Sequence, residues 1–386
     1  MESSATSEVA RSLPWVVVGA IGTGLFGLGL AVGGYGAYVS VLIERGLSPG
    51  AAGFGMSLFL LGQLVVVIPA DRLTRRLSVE RVAAGGFLLA GVGIALGSSP
   101  TLEATYASRL LLGLGQGAAF VAGMKYVGLR TDGADTATAQ GILGALFTLG
   151  LALGLAIGSP AVDAFGTTPP AFAAATFAVV GAAVTSRLPT ATDPTRAAFR
   201  SYLDPFTDAA GLALGLANMA TFGFLIVAST WYVEVLAGTV LPGAAVLVGF
   251  AVATVAGRGL GGWLSRAVGE QSTVSISLVG LAAVLFGLAG AIGADSAPGI
   301  ALGLVLTGFG FGIPFGPLFS LAFSELADDA GVTLSGMLVV GNAGALAYPW
   351  LVGWLFAATT GYAAGVATMA LSVGLIWLFW ARSVGV

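Results

Sequence analysis

Residues 51–99 read AAGFGMSLFLLGQLVVVIPADRLTRRLSVERVAAGGFLLAGVGIALGSS, and this stretch decides the fold. It holds two apolar runs, 51–70 and 80–99, separated by a charged turn that carries Asp71, Arg72, Arg75 and Arg76, with Arg81 at the start of the second run. Roughly 20 apolar residues of helix cross the hydrocarbon core of a bilayer. In lipid the backbone must satisfy its own hydrogen bonds, so each run is predicted to be a helix and the pair a membrane hairpin.

The same alternation continues in both directions. Further runs fall at 14–42, 103–126, 137–162 and 170–188, and then at 209–236, 242–264, 272–293, 298–323, 332–357 and 361–382. With the first two they make twelve, so the fold class expected is an all-α polytopic membrane protein with two pseudo-symmetric six-helix halves. Residues 1–13 form a polar tail before a retained first span, with no cleavage site of the secretory kind. The halves are then 14–188 and 209–386. Between them lies a polar linker, 189–208, with Arg196, Arg200, Asp193, Asp204 and Asp208.

Composition agrees. The chain is 57% hydrophobic and 9% charged, against about a quarter charged in soluble domains. Its 61 glycines suit helices whose backbones approach closely in lipid. There is no cysteine and no histidine, which removes thiolate chemistry, disulfides and the usual metal ligands. No cofactor, metal, nucleic-acid partner or enzymatic activity is expected.

The basic residues orient the bundle. If the N-terminus is cytoplasmic, the inner loops and helix ends hold Arg11, Arg72, Arg75, Arg76, Arg81, Lys125, Arg130, Arg187, Arg196, Arg200, Arg266 and Arg382, whereas the outer loops hold only Arg45. This bias predicts both termini in the cytoplasm and an even number of spans. The two halves also echo each other. Val67-Ile68-Pro69-Ala70-Asp71-Arg72-Leu73-Thr74-Arg75-Arg76 follows the second span, and Gly261-Gly262-Trp263-Leu264-Ser265-Arg266-Ala267-Val268-Gly269 follows the eighth. Two six-helix units related by an axis along the membrane normal would place them so.

The first of these loops resembles the cytoplasmic G-x-x-x-D-R-x-G-R-R signature of the major facilitator superfamily, with Val67 and Thr74 in place of its glycines. The resemblance implies a gate in which Asp71, Arg72, Arg75 and Arg76 pair across neighbouring helices, with Arg266 in the corresponding loop of the second half; headgroup anchoring is the alternative. Arg109-x-x-x-Gly113-x-Gly115-Gln116-Gly117 is similar to the superfamily's buried-arginine motif. In the fifth span, Gly150-x-x-x-Gly154-x-x-x-Gly158-Ser159-Pro160 resembles the glycine-proline signature of antiporter members, with Ser159 inserted. That stripe is expected to make a close contact between the halves and to bend at Pro160, with Gly341-Asn342-Ala343-Gly344 and Pro349 of the eleventh span as its partner.

The substrate is constrained by what the spans lack. All eighteen Asp and Glu residues fall in loops or near span ends, so a proton relay would have to use a shallow carboxylate such as Glu103, Asp163 or Glu234. Two arginines, Arg109 and Arg258, lie within spans, where a cation is costly and marks a functional site by default. Gly257-Arg258-Gly259-Leu260-Gly261 is similar to the eighth span of the superfamily's anion porters (oxalate/formate, monocarboxylate and nitrate/nitrite). Nitrate fits poorly, because the second span offers only Gln63.

Arg109, Gln116, Arg258, Asn342, Tyr35 and Asn218 are therefore the substrate-binding candidates, with a place beside Arg266 in the repeat of the gate as the alternative for Arg258 and core packing as the alternative for Tyr35, while Tyr38 and Trp231 read as interfacial anchors. The resemblance implies a secondary transporter working by alternating access, with its lean to small organic or inorganic anions and a coupling ion or exchange partner in the plasma membrane. Efflux of hydrophobic compounds and a transporter-like sensor are the competing readings.

Overall fold

The computed structural model describes residues 15–99, 101–131, 134–192, 200–326, 330–359 and 361–384. The expected tail 1–13, with Arg11, lies outside them, as do Asp193 and Arg196 of the linker. Among the described residues there are no strands, and twelve helices are long and apolar enough to span a membrane. They are α1 (Trp15–Glu44), α2 (Pro49–Thr74), α3 (Val79–Leu96), α4 (Leu102–Gly128), α5 (Ala139–Phe165) and α6 (Thr168–Thr185). The second six are α7 (Ala209–Ala237), α8 (Gly243–Val268), α9 (Glu270–Gly293), α10 (Ala297–Glu325), α11 (Val332–Thr359) and α12 (Ala363–Val384).

Polar residues set several helix starts. The side chains of Ser48, Thr101 and Asp208 each accept a hydrogen bond from the backbone amide three residues on, capping α2, α4 and α7. Such a bond satisfies one of the amides that a helix start leaves without a partner. Large apolar side chains, among them Val252, Trp263, Leu302, Leu371 and Leu375, point outward. In water such a surface would aggregate; in lipid it is the matching solvent.

The helices pack within each group of six, α1 against α5 and α6, α3 against α4, α8 against α10, and α9 against α12. The groups meet where α2 touches α11, α5 touches α8, and the end of α1 touches that of α7. Four spans are not continuous. A turn at Gly34 interrupts α1, a wide π-type turn at Met219–Gly223 interrupts α7, and turns before Phe315 and Tyr348 break α10 and α11. The last two are followed or preceded closely by Pro314 and Pro349, which cannot donate the helical hydrogen bond.

The glycine stripe of α5 corrects an expectation. Gly150, Gly154 and Gly158 lie against Phe26, Leu30 and Gly34 of α1, inside the same six-helix group and not between the groups. The cause is reciprocal: Gly29 and Gly33 of α1 face the carbonyls of Phe147 and Leu151, so both backbones are bare along one line. The helix continues through Pro160 to Phe165. The eleventh-span glycines have other partners too, Gly341 against Asn218, Gly344 against Met219, and Gly353 against Pro49.

A side chain on the stripe has nowhere to go. Gly150→Leu would drive its β-carbon into the Phe26 carbonyl and is expected to cost at least about 1–3 kcal/mol by overpacking. Gly280→Ala, where a β-carbon meets nothing within 4 Å, serves as control. Thermal unfolding of the purified proteins should show a clear drop in Tm for the first and none for the second.

Candidate functional site

Helical rise places the polar residues of the spans at defined depths. Counted from the end that carries the basic loops, Asn218, Asn342, Arg258, Gln63 and Gln116 are about 14, 15, 15, 17 and 18 Å along their helices at 1.5 Å per residue. They form one layer near the middle of the bundle. Arg109 and Tyr35 do not belong to it, being about 10 and 14 Å from the opposite helix ends by the same measure.

Three amides of the layer are joined. Gln63 of α2 donates through Nε2 to Oε1 of Gln116 on α4, and Asn342 of α11 donates through Nδ2 to Oε1 of Gln63 at 2.8 Å. The chain therefore crosses from one six-helix group to the other. Asn218 of α7 donates to the Met337 carbonyl at 3.3 Å. The Oδ1 atoms of Asn218 and Asn342 are buried without a hydrogen-bond partner. A buried acceptor left in this way costs about 1–3 kcal/mol, so both are ready to receive a donor.

Arg258 of α8 reaches across to α5 at the other contact between the groups. Its NH1 donates to the Gly144 carbonyl at 3.1 Å, and its guanidinium lies 3.7 Å from the centroid of the Phe315 ring. Its Nε is buried with no acceptor. No carboxylate lies within salt-bridge distance of it among the described residues. The layer thus offers neutral amides on the α2/α11 side and one unneutralised cation on the α5/α8 side.

Toward the basic end, Asp71 is wholly buried and accepts from three sides. Its partners are Arg75 NH2 at 2.7 Å, Lys125 Nζ at 2.7 Å and the Tyr202 hydroxyl at 2.5 Å. Lys125 also donates to Thr74 Oγ1 at 3.1 Å. Burial, and then the bond to Asp71, push the Tyr202 hydroxyl up from its ordinary pKa, so it stays protonated and remains a donor.

Tyr202 belongs to the segment between the halves. Its carbonyl and the Phe206 ring pack on Gly336 of α11, and Phe206 also lies against Gly215 of α7. Asp71 of the first group is in this way tied to the second. Of the arginines expected to share this role, only Arg75 does so; Arg72 and Arg76 are exposed. Arg266, also exposed, makes no ion pair among the described residues, so the corresponding loop does not repeat the arrangement.

The groups also meet at the opposite end. Trp231 is 2% exposed and donates from Nε1 to the Pro349 carbonyl at 3.0 Å, with Gly53 and Gly353 packed beside it. This corrects the anchor reading: Trp231 is buried in a helix contact, with its indole N–H already bonded to a backbone carbonyl. Ser40 of α1 donates to Oε1 of Glu234 on α7. Tyr38 donates to the Thr167 carbonyl at 2.6 Å. Glu103 and Asp163 are exposed.

Lys125, Tyr202 and Gln63 were not among the candidate site residues. Two had a signal, since Lys125 is the chain's only lysine and Gln63 a lone amide in an apolar run. Tyr202 had none, because only the fold brings the linker to Asp71. No group of His, Cys, Asp or Glu among the described residues could hold a metal.

The profile described as Major Facilitator Superfamily matches residues 19–349. No curated protein matches the chain in sequence. Among solved structures it is similar to a variant of the E. coli fucose:proton symporter, at 16% identity and a TM-score of 0.67, covering 97% of this chain and 99% of that one. It is also similar to the human organic anion transporter TETRAN, at 17% identity and a TM-score of 0.68, covering 96% of this chain and 100% of that one.

Proposed function

The chain belongs to the major facilitator superfamily, a family of transporters, and from that premise we propose that it carries a small anion, organic or inorganic, across the membrane by alternating access. As a multi-pass member with twelve apolar helices it is a secondary transporter and not an enzyme. The finer reading concerns what it carries. One observation supports it: Arg258 brings an uncompensated guanidinium to mid-membrane depth at a contact between the two groups of six. A guanidinium stays charged at any physiological pH, and an anion with two oxygens would fit its fork.

In this reading Arg258 takes the anionic group, and Gln116, Asn342 and Asn218 bond the neutral part of the solute. Bonding would break the Gln63–Asn342 link and the Arg258–Gly144 link, which both join the halves 14–188 and 209–386, so binding and loosening are coupled. Asp71, with Arg75, forms the gate at the basic end, and we place that end, with both termini, at the cytoplasmic face of the plasma membrane. The glycine stripe on α1 and α5 keeps the first half rigid while it rocks.

Purified protein in liposomes, offered radiolabelled formate, oxalate, lactate and nitrate in parallel with the lipophilic cation tetraphenylphosphonium, tests the assignment. Uptake or exchange of at least one carboxylate above protein-free liposomes is expected. Flux of the cation alone would replace this reading with efflux of hydrophobic compounds.

A further inference from the structure

A cavity of about 290 Å³ lies inside the first six helices, toward the end away from the basic loops, and is separate from the mid-membrane layer. Leu30 and Gly34 of α1, Ile94 of α3, Gly158 and Val162 of α5, and Ala174 of α6 are typical of its apolar wall. Among the described residues only two side chains with polar atoms line it, Tyr38 and Arg109. The Tyr38 hydroxyl is already committed to the Thr167 carbonyl.

Arg109 is 4% exposed. Its NH1 donates to the Ala31 carbonyl at 3.2 Å, its guanidinium stands 4.3 Å from the Tyr35 ring centroid, and its Nε is buried without an acceptor. No carboxylate pairs with it among the described residues. Removing such a charge from water costs several kcal/mol unless it is paired, and a single carbonyl with a ring face offsets only part of that. The wall and the cation together describe a ligand with an apolar body and one negative end.

The cavity also has a side entrance. α5 and α6 each pack closely on α1 but touch one another sparsely. Along that seam the lining residues Ile157, Phe165, Pro169 and Ala173 are exposed, and in a membrane they face acyl chains. A ligand can therefore enter from the lipid without passing through either gate.

We propose that this cavity binds an amphiphilic carboxylate, a medium-chain fatty acid in chemical class, which enters between α5 and α6 and pairs its headgroup with Arg109. The site does not depend on the transport assignment for Arg258. A ligand here lies against the α1/α5 glycine contact, and its occupancy would bear on how the first half packs.

The test uses full-length protein in liposomes and a photoreactive diazirine analogue of decanoic acid, with the labelled peptides mapped by mass spectrometry. Labelling is expected on peptides that include residues 157–174, with competition by decanoate but not by decanol, decyltrimethylammonium or acetate. Arg109→Gln should reduce it by about tenfold or more, since a charge-assisted bond contributes about 1.5–3 kcal/mol. Ala161→Trp, which fills the cavity from its rim and leaves the arginine in place, should do the same, so that misfolding of one variant does not decide the matter.

Labelling elsewhere in the chain would overturn the proposal. So would labelling unchanged in both variants, equal competition by decanol, which means an apolar void only, or equal competition by acetate, which means an anion site without an apolar part. Labelling that persists in Arg258→Ala while its transport is lost would show the two sites to be distinct.

Discussion

Arg258→Ala is expected to reduce anion uptake into proteoliposomes to background while leaving the protein folded. Truncating one partner of a buried charge pair costs about 2–5 kcal/mol, which is about 30-fold to several thousandfold in binding of the solute. The loss to the protein itself is small. Gly144 loses one donor to its carbonyl but keeps the Thr148 hydroxyl at 2.9 Å, and the lost guanidinium bond, about 1.5–3 kcal/mol, is offset because the variant no longer holds an unpaired charge out of water, which costs several kcal/mol. Arg258→Lys keeps the charge and loses the fork, so uptake should be intermediate, with a raised KM. Tm read beside the uptake separates the two effects. Full uptake by Arg258→Ala at unchanged Tm would remove the anion assignment.

The second large effect is expected at the basic end. Lys125→Ala removes one of the two cations that bind the buried Asp71 carboxylate and leaves the Arg75 pair and the Tyr202 bond, and loss of a charge-assisted hydrogen bond costs about 1.5–3 kcal/mol. Adding Asp71→Asn to it should cost less than Asp71→Asn costs alone, because one of the two bonds from the carboxylate to a cation is already gone, and thermal unfolding of the single and double variants measures the difference. Additive destabilisation would mean that Lys125 and Asp71 do not act as a pair.

Tyr202→Phe asks a different question, because it keeps the Asp71–Lys125 pair and cuts the tether to the second half. The cysteine-free chain permits a clean readout. Ser335→Cys, at a wholly buried position three residues into α11, should react slowly with a membrane-impermeant maleimide. In the Tyr202→Phe background it should react severalfold faster if the bond holds the basic end shut. Equal rates would reduce Tyr202 to a packing residue.

The boundaries of the spans show where a sequence reading stops and why. The second apolar run ends at Ala70 because Asp71 is charged, yet α2 continues to Thr74. A carboxylate can stay inside the helix because Arg75, one turn on, and Lys125, 54 residues away along the chain, both pair with it. The start of α2 at Pro49 was recoverable from Ser48 and Pro49, a capping residue followed by a proline suited to the first helical position.

The same division runs through the candidate site. Arg109, Arg258, Gln116, Asn342 and Asn218 were legible individually, since an isolated polar group in an apolar span is costly wherever it points. Their grouping was not. A periodic pattern gives depth along one helix but not which helix stands opposite, so Arg109 and Arg258, equivalent in sequence terms, fall in separate places. The glycine stripe was likewise visible as a stripe, and only its partner, the bare line of Gly29 and Gly33, shows that it binds α1 within one half.

What the sequence determined alone is the solvent, the number of spans and the family, because these follow from local quantities: the length of an apolar run, the charges between runs and short motifs at their ends. Tertiary structure decided the pairings: Asp71 with Lys125 and Tyr202, Gln63 with Asn342, Arg258 with Gly144, Trp231 with Pro349. Each joins residues far apart in the chain, and in a bundle whose surfaces are almost uniformly apolar the choice of neighbour is made by shape, where two glycine-lined backbones can touch, and by the few polar atoms that must find partners out of water.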